Sequence, residues 1–255
     1  MLKQVLAIGI RLTLLPTAMR EIKQKREVTV ILYHNPSHST FKKHMEHLRK
    51  NYNFVSLEKA VTGKNLPSKP LVVTLDDGHK RNYELLETMK KQEIPVTIFA
   101  SSNPEGARKN LENQPLLSKK EILELQENGV SFQSHTRNHA ILPKRTDEEA
   151  KNELEGSKKE LEEKTGKKVW CIAYPNGDYS KRIMELTEKA GYTHAFTTDP
   201  GFNTPKTNPY AMKRICIDDT DTINVLAVKV TSIWQRAKEV LKKRESGYTT
   251  GDEKK

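Results

Sequence analysis

Leu71-Val72-Val73-Thr74-Leu75-Asp76-Asp77-Gly78 is an apolar, β-rich run that stops on two carboxylates and a glycine. It reads as a buried strand followed by a sharp turn, which the glycine permits. Adjacent carboxylates raise each other's pKa unless a cation neutralises one of them, so a buried strand ending in two acids calls for a compensating partner. A helix N-cap would use one Asp and leave the second unexplained.

The surrounding chain repeats the theme. Val28 to Tyr33, Val96 to Ala100, Val130 to Gln133, Val169 to Ala173, Tyr192 to Thr197 and Lys213 to Ile217 are further strand candidates, seven with the first. Helix-period segments separate them, which predicts βα units around a mostly parallel sheet. Ser118-Lys119-Lys120-Glu121 and Thr146-Asp147-Glu148-Glu149 read as capping boxes, and Gly129, Gly166 and Gly191 stand where C-terminal glycines belong. A last helix is expected from Ile223 through Leu226, Val230, Ile233, Trp234 and Ala237 to Leu241. No internal repeat or long linker appears, so one domain is expected over about 28–241, followed by a polar tail over 242–255. Both open and closed parallel sheets fit this pattern, and both place their chemistry at the C-terminal ends of the strands.

With 255 residues, 35% of them hydrophobic, the chain can build a substantial core. Cys171 and Cys216 lie far apart in separate strand candidates, which leaves neither a disulfide framework nor a Cys-rich zinc site. The net charge of +11 is dispersed in pairs such as Lys42-Lys43, Lys90-Lys91 and Lys158-Lys159. Without aromatic residues interleaved among these pairs, solvated helix faces are expected and a nucleic-acid partner is not. His44 and His47, set among Lys42, Lys43, Glu46 and Lys50, are read the same way. Residues 1–27 differ: Lys3, Arg11, Arg20, Lys23, Lys25 and Arg26 punctuate an apolar stretch that is too short to span a bilayer and has a poor cleavage site. This segment fits a helix lying on a membrane surface or packed outside the domain, consistent with a cell-envelope or membrane-associated protein, the cytoplasmic face included.

Ser134-His135-Thr136-Arg137-Asn138-His139 follows the strand candidate at Val130 to Gln133, at the same sheet edge as Asp76-Asp77. A four-residue separation puts the two imidazoles on one side if the segment turns helically. With Asp77 they make a two-His, one-carboxylate set that leaves open positions for water and substrate. One divalent ion is expected there; zinc is the first choice, and Co²⁺, Ni²⁺ and Fe²⁺ are compatible with the same donors. Asp218, Asp219 and Asp221 are read as acids at the N-terminus of the last helix.

Thr74-Leu75-Asp76-Asp77-Gly78, His135-Thr136-x-x-His139 and Ala173-Tyr174-Pro175-Asn176-Gly177, in that order, resemble the first three motifs of the polysaccharide deacetylases, carbohydrate esterase family 4. Tyr33-His34 and Ala190-Gly191-Tyr192 are similar to features of the branch acting on poly-N-acetylglucosamine polymers. The resemblance implies a single-domain, deformed (β/α) barrel and a metal-dependent hydrolase that removes acetyl groups from an N-acetylated glycan. It implies Asp76 as base, Asp77, His135 and His139 as metal ligands, and a backbone N–H near Asn176 as the oxyanion donor, with Tyr174 and Pro175 shaping the groove. O-acetyl groups, or a small or lipid-linked sugar, form an alternative substrate class, and a catalytically weakened glycan-binding protein an alternative of another kind. Two departures stand out. Many members carry an Arg where Ala173 stands, and it orients the base. Many also supply a late general-acid His, whereas the last one here, His194, reads as structural; this leaves His34 or Asp76 itself to deliver the proton.

Overall fold

Eight parallel strands form one sheet in the computed structural model, which describes residues 2–13, 15–22, 24–25 and 27–233. They are β1 (Thr29–Tyr33), β2 (Asn53–Phe54), β3 (Pro70–Leu75), β4 (Val96–Ala100), β5 (Ser131–Ser134), β6 (Cys171–Ala173), β7 (His194–Phe196) and β8 (Ile215–Cys216). The seven expected strands are all present. β2, a two-residue strand paired with the start of β3, is an addition to them. The helices are α1 (Leu2–Leu12), α2 (Leu15–Ile22), α3 (His38–Arg49), α4 (Leu57–Thr62), α5 (Leu86–Lys91), α6 (Pro104–Asn110), α7 (Lys119–Glu127), α8 (Asp147–Thr165), α9 (Lys181–Lys189) and α10 (Ile223–Lys229). Trp234, Ala237 and Leu241 of the expected last helix lie outside the described residues.

The sheet order is β7-β6-β5-β4-β3-β1-β8, with β2 paired to the start of β3. The sheet curls until its two edges meet. Thr197 N–H donates to the Met212 carbonyl and Met212 N–H to that of Ala195, so the chain entering β8 closes against β7 and completes a deformed barrel. Alternation along the strands then sorts the residues. Ile31, Tyr33, Val73, Leu75 and Ile98 pack outward against Phe41, Met45 and Leu48 of α3, Met89 of α5 and Leu125 of α7. Val30, Val72, Phe99, Ala173, Phe196 and Met212 fill the inside. Across β5 to β7, Ile172 and Ala195 meet Leu154 and Leu161 of α8, with Tyr192. Both expected capping boxes are formed, and Gly166 ends α8 at φ 64°.

Two expectations are corrected. His44 is buried, not solvated: it shares the inner face of α3 with Phe41, Met45 and Leu48, its Nδ1 pairs with the Tyr33 hydroxyl at 3.0 Å and its Nε2 with the Asp221 carbonyl at 2.7 Å. Burial pulls its pKa down. The acids before α10 do not cap it; Thr222 does, its side chain accepting from Val225 N–H. Asp221 instead pairs with Lys3 and Lys229, each at 2.5 Å, and Asp219 accepts from both N–H and Oγ of Ser37.

Candidate active site

Strand register brings the expected residues to one edge. Tyr33 lies level with Leu75, Ala100 with Ser134, and Ala173 with Phe196, so the segments that follow each strand emerge together. Asp76 continues the inward parity of Val72 and Thr74 and points into the barrel. Asp77 would point outward if the strand continued, but its backbone turns left-handed, at φ 70°, and so does that of Gly78, at φ 75°. A Cβ at Gly78 would stand 3.1 Å from that of Ala100, so both space and conformation favour glycine there.

Asp77, His135 and His139 converge with one donor atom each, all within 4.8 Å of one another. His135 Nε2 is 3.3 Å and His139 Nε2 3.2 Å from Asp77 Oδ1. Neither contact has hydrogen-bond geometry, and Oδ1 is buried without a donor. Three lone-pair donors around a common point, one of them an orphaned carboxylate oxygen, fit a divalent cation. The outer contacts support that use. His135 Nδ1 lies 2.8 Å from the Ala173 carbonyl, an acceptor that puts the ring proton on Nδ1 and leaves Nε2 free to ligate. His79, which sequence reasoning passed over, sits 3.0 Å from Asp77 Oδ2 and holds the far side of the carboxylate. Burial pushes the Asp77 carboxyl up, yet the imidazoles of His135, His139 and His79 outweigh it and hold it well below the usual carboxylate range. Burial pulls both His135 and His139 down; contact with Asp77 and Asp76 raises His135 on balance, while burial prevails at His139.

Thr136 and His139 both have left-handed backbones, at φ 64° and 54°, a conformation costing about 1–2 kcal/mol per residue. The loop is held from beneath. Thr136 Oγ1 accepts from Ala140 N–H at 3.0 Å, and Glu153 of α8 accepts from Asn138 N–H at 2.8 Å and from its side-chain amide at 2.5 Å. Glu160 likewise takes Ser102 Oγ and Arg137 Nε, each at 2.6 Å.

Asp76 has a partner that the sequence reading did not supply. Arg214 enters the barrel just before β8 and meets the carboxylate with two parallel hydrogen bonds, Nη1 to Oδ1 at 2.6 Å and Nη2 to Oδ2 at 2.8 Å. Its Nε donates to the Thr197 carbonyl, its guanidinium lies 5.2 Å from the centre of the Phe99 ring, and the side chain is wholly buried. Burial would raise the Asp76 carboxyl; the charge of Arg214, then that of His135, reverses this and lowers it. The arginine that seemed lost at Ala173 is replaced by one from the segment leading into β8.

The cleft over these groups has a volume of about 310 Å³ and is lined by His34, Asn35, His79, Asn110, Leu111, Glu112, Gln114, Asn176 and Thr198 as well as the metal set and Asp76. That is near the lower bound of small-ligand pockets, ~300–1,000 Å³. A larger hollow of about 830 Å³ between α3 and α5, lined by Lys42, Arg49, Glu87 and Lys91, holds no such donor set. His34 is exposed in the cleft, its carbonyl accepting from Asn82. Asn176 forms part of the wall at φ 59°, and Gly177 beneath it is pressed so closely on Thr198 that a Cβ would lie 2.1 Å from its hydroxyl. Tyr174 and Pro175 do not line the cleft. The Tyr174 ring is buried in the core, stacked on Tyr179, with its hydroxyl donating to the Tyr210 carbonyl; a strand-to-turn transition at Pro175 explains the motif better than a groove wall.

Residues 63–195 match the family model for polysaccharide deacetylase. Among curated relatives, YxkH of Bacillus subtilis, which carries the same family designation, is 27% identical over 213 residues, 78% of this chain and 74% of that protein. The poly-beta-1,6-N-acetyl-D-glucosamine N-deacetylase of Staphylococcus aureus is 29% identical over 163 residues, 60% of this chain; the match spans 56% of that enzyme's length. The crystal structure of a polysaccharide deacetylase from Bacillus cereus superposes with a TM-score of 0.69 at 32% identity, covering 80% of this chain and 69% of that one.

Proposed function

The chain belongs to the polysaccharide deacetylase family and is a deacetylase that hydrolyses an amide bond; from that premise we propose that it removes acetyl groups from an N-acetylglucosamine-type glycan at the Asp76, Asp77, His135 and His139 end of its barrel. The observation that carries this reading is the orphaned Asp77 Oδ1 between two imidazoles, beside a second buried carboxylate held by Arg214. The relative that acts on a poly-N-acetylglucosamine supports the substrate class.

An amide carbonyl is a poor electrophile and neutral water a poor nucleophile. Asp77, His135 and His139 would hold a divalent ion, Zn²⁺ first among the compatible ions, which would supply the Lewis acidity that both reactants need. Asp76 is the base that accepts the proton of the attacking water. Each carboxylate oxygen keeps a lone pair beyond its bond to Arg214, so the guanidinium fixes and ionises the base without blocking it. Asn176 lines the cleft, and its backbone N–H would serve as the donor to the charge developing on the acetyl oxygen. His34, which also lines the cleft, delivers a proton to the departing amine.

Purified protein loaded with Zn²⁺ or Co²⁺ is expected to release acetate from chitooligosaccharide, to lose that activity on chelation and to regain it on metal return. Release confined to O-acetylated sugars, or unaffected by chelation, would overturn the reading. The proton donor has its own test. His34→Ala is expected to slow release from the N-acetyl sugar by about 10²-fold or more while sparing an aryl acetate, whose phenolate leaves without protonation. Equal losses on both substrates would remove His34 from that role and return it to Asp76.

A further inference from the structure

The large apolar side chains left exposed among the described residues are Val5, Ile8, Leu12, Leu15 and Ile22, all on the first two helices. α1 carries two apolar stripes. Leu6, Ala7 and Ile10 pack against Val225 and Val228 of α10 and against Ile233, which satisfies the helix's need for a buried face. Val5, Ile8 and Leu12, spaced by three and four residues, form a second stripe that none of the described residues covers; Leu12 is 83% exposed. On α2, Leu15 and Ile22 lie two turns apart at 58% and 75% exposure. The second stripe is surplus to packing.

Its charge surroundings decide the occupant. The segment carries Lys3, Arg11, Arg20, Lys23, Lys25 and Arg26 against Glu21 and Glu27. Lys3 is engaged by Asp218 and Asp221, and Arg20 by Glu21, but among the described residues Arg11 bonds only the neutral Asn224 amide and Lys25 is exposed. Two copies joined through this face would bring like charges together, because a twofold contact sets the same patch against itself. Among the described residues no helix is long and apolar enough to cross a bilayer, and α1, with 11 residues, covers about 16 Å of a hydrocarbon core about 30 Å thick. Apolar residues beside uncompensated basic ones on short helices suit the interface of an anionic membrane.

We propose that α1 and α2 dock the enzyme flat on the surface of an anionic lipid bilayer, Val5, Ile8, Leu12, Leu15 and Ile22 entering the headgroup boundary and Arg11 and Lys25 meeting the lipid phosphates. The docking helices are tied to the catalytic edge. Lys3 pairs with Asp218 and Asp221 in the turn after β8, and Asp219 of the same turn holds Ser37, three residues beyond His34. A glycan presented at the membrane surface would be met by a cleft whose framework is anchored there.

The full chain is tested by flotation with vesicles of equal parts phosphatidylcholine and phosphatidylglycerol, and with pure phosphatidylcholine. It is expected to float with the anionic vesicles, to stay behind with the neutral ones, and to be released by high salt. Combined Leu12→Ser, Leu15→Ser and Ile22→Ser are expected to lower anionic-vesicle partitioning at least about tenfold with an unchanged melting temperature, since these side chains make no core contact. No flotation, flotation indifferent to lipid charge, or partitioning undiminished in the triple variant would each overturn the proposal. So would a dimer that the triple variant dissociates in the absence of vesicle binding. The assay needs no turnover, so a failure of the catalytic reading leaves it intact.

Discussion

Asp76→Asn is expected to lower acetate release from an N-acetylated glycan by about 10²–10⁴-fold, the range for loss of a general base, with metal affinity nearly unchanged. The two effects separate because Asp76 lies inside the barrel on Arg214, whereas the residues proposed to hold the metal are Asp77, His135 and His139. A structural consequence follows from the burial of Arg214. An amide cannot balance the guanidinium, and breaking a buried ion pair from one side costs about 3–5 kcal/mol. The variant should therefore melt earlier than the parent, by less than the full amount because the Asn oxygen still accepts one hydrogen bond. Acetate release by steady-state assay, bound metal by calorimetric titration and melting temperature by calorimetry give three readouts. Unchanged acetate release would sink Asp76 as the base.

Arg214→Met is the second large effect. It strands the Asp76 carboxylate, which is 2% exposed, without a partner, at a comparable cost of about 3–5 kcal/mol. The sign of the pH dependence follows from what remains. In the parent, burial raises the Asp76 carboxyl and Arg214 leads the interactions that bring it below its ordinary value. Its stabilising contribution is present above the unfolded carboxylate pKa, about 3.9, and is lost as pH falls through the lower folded value. With Arg214 gone, burial loses its main opponent and the folded value rises, so the ionised base is lost at a higher pH, while protonation relieves the stranded charge and the variant's stability deficit shrinks as pH falls. The acid limb of the activity profile should move upward, and activity at fixed mildly acidic pH should fall. Combining Asp76→Asn with Arg214→Met removes both charges and should recover most of the stability lost in either single variant while restoring no activity. An unchanged acid limb in Arg214→Met would show that the guanidinium does not hold the base.

The two variants mark the boundary of what could be read in the chain. The pairing of Asp76 with Arg214 spans 138 residues and depends on β8 taking its place beside β1, one strand removed from β3, with Arg214 turned into the barrel. One local signal was present: a charged residue within the expected strand Lys213 to Ile217, at a position facing the barrel interior, requires a partner of opposite sign. Ala173 drew attention to the missing arginine without showing where its substitute lay. His44 left a similar signal, since Phe41, His44, Met45 and Leu48 follow the spacing of one buried helix face although lysines flank them in sequence. The Tyr174 ring was misplaced for the opposite reason. A motif named its position but not its side, and burial among Tyr179, Thr187 and Tyr210 is a matter of packing.

Seven of the eight strands, the helix caps at Ser118 and Thr146, and the convergence of Asp77, His135 and His139 on one edge were determined by the sequence, because each rests on local pattern and donor chemistry within a few residues. Tertiary structure decided the rest. It closed the barrel through Met212, set the left-handed turn that aims Asp77 at the histidines, brought Arg214 to Asp76, and left one face of α1 bare. These outcomes depend on contacts between residues far apart in the chain, and a local pattern can demand such a partner without naming it.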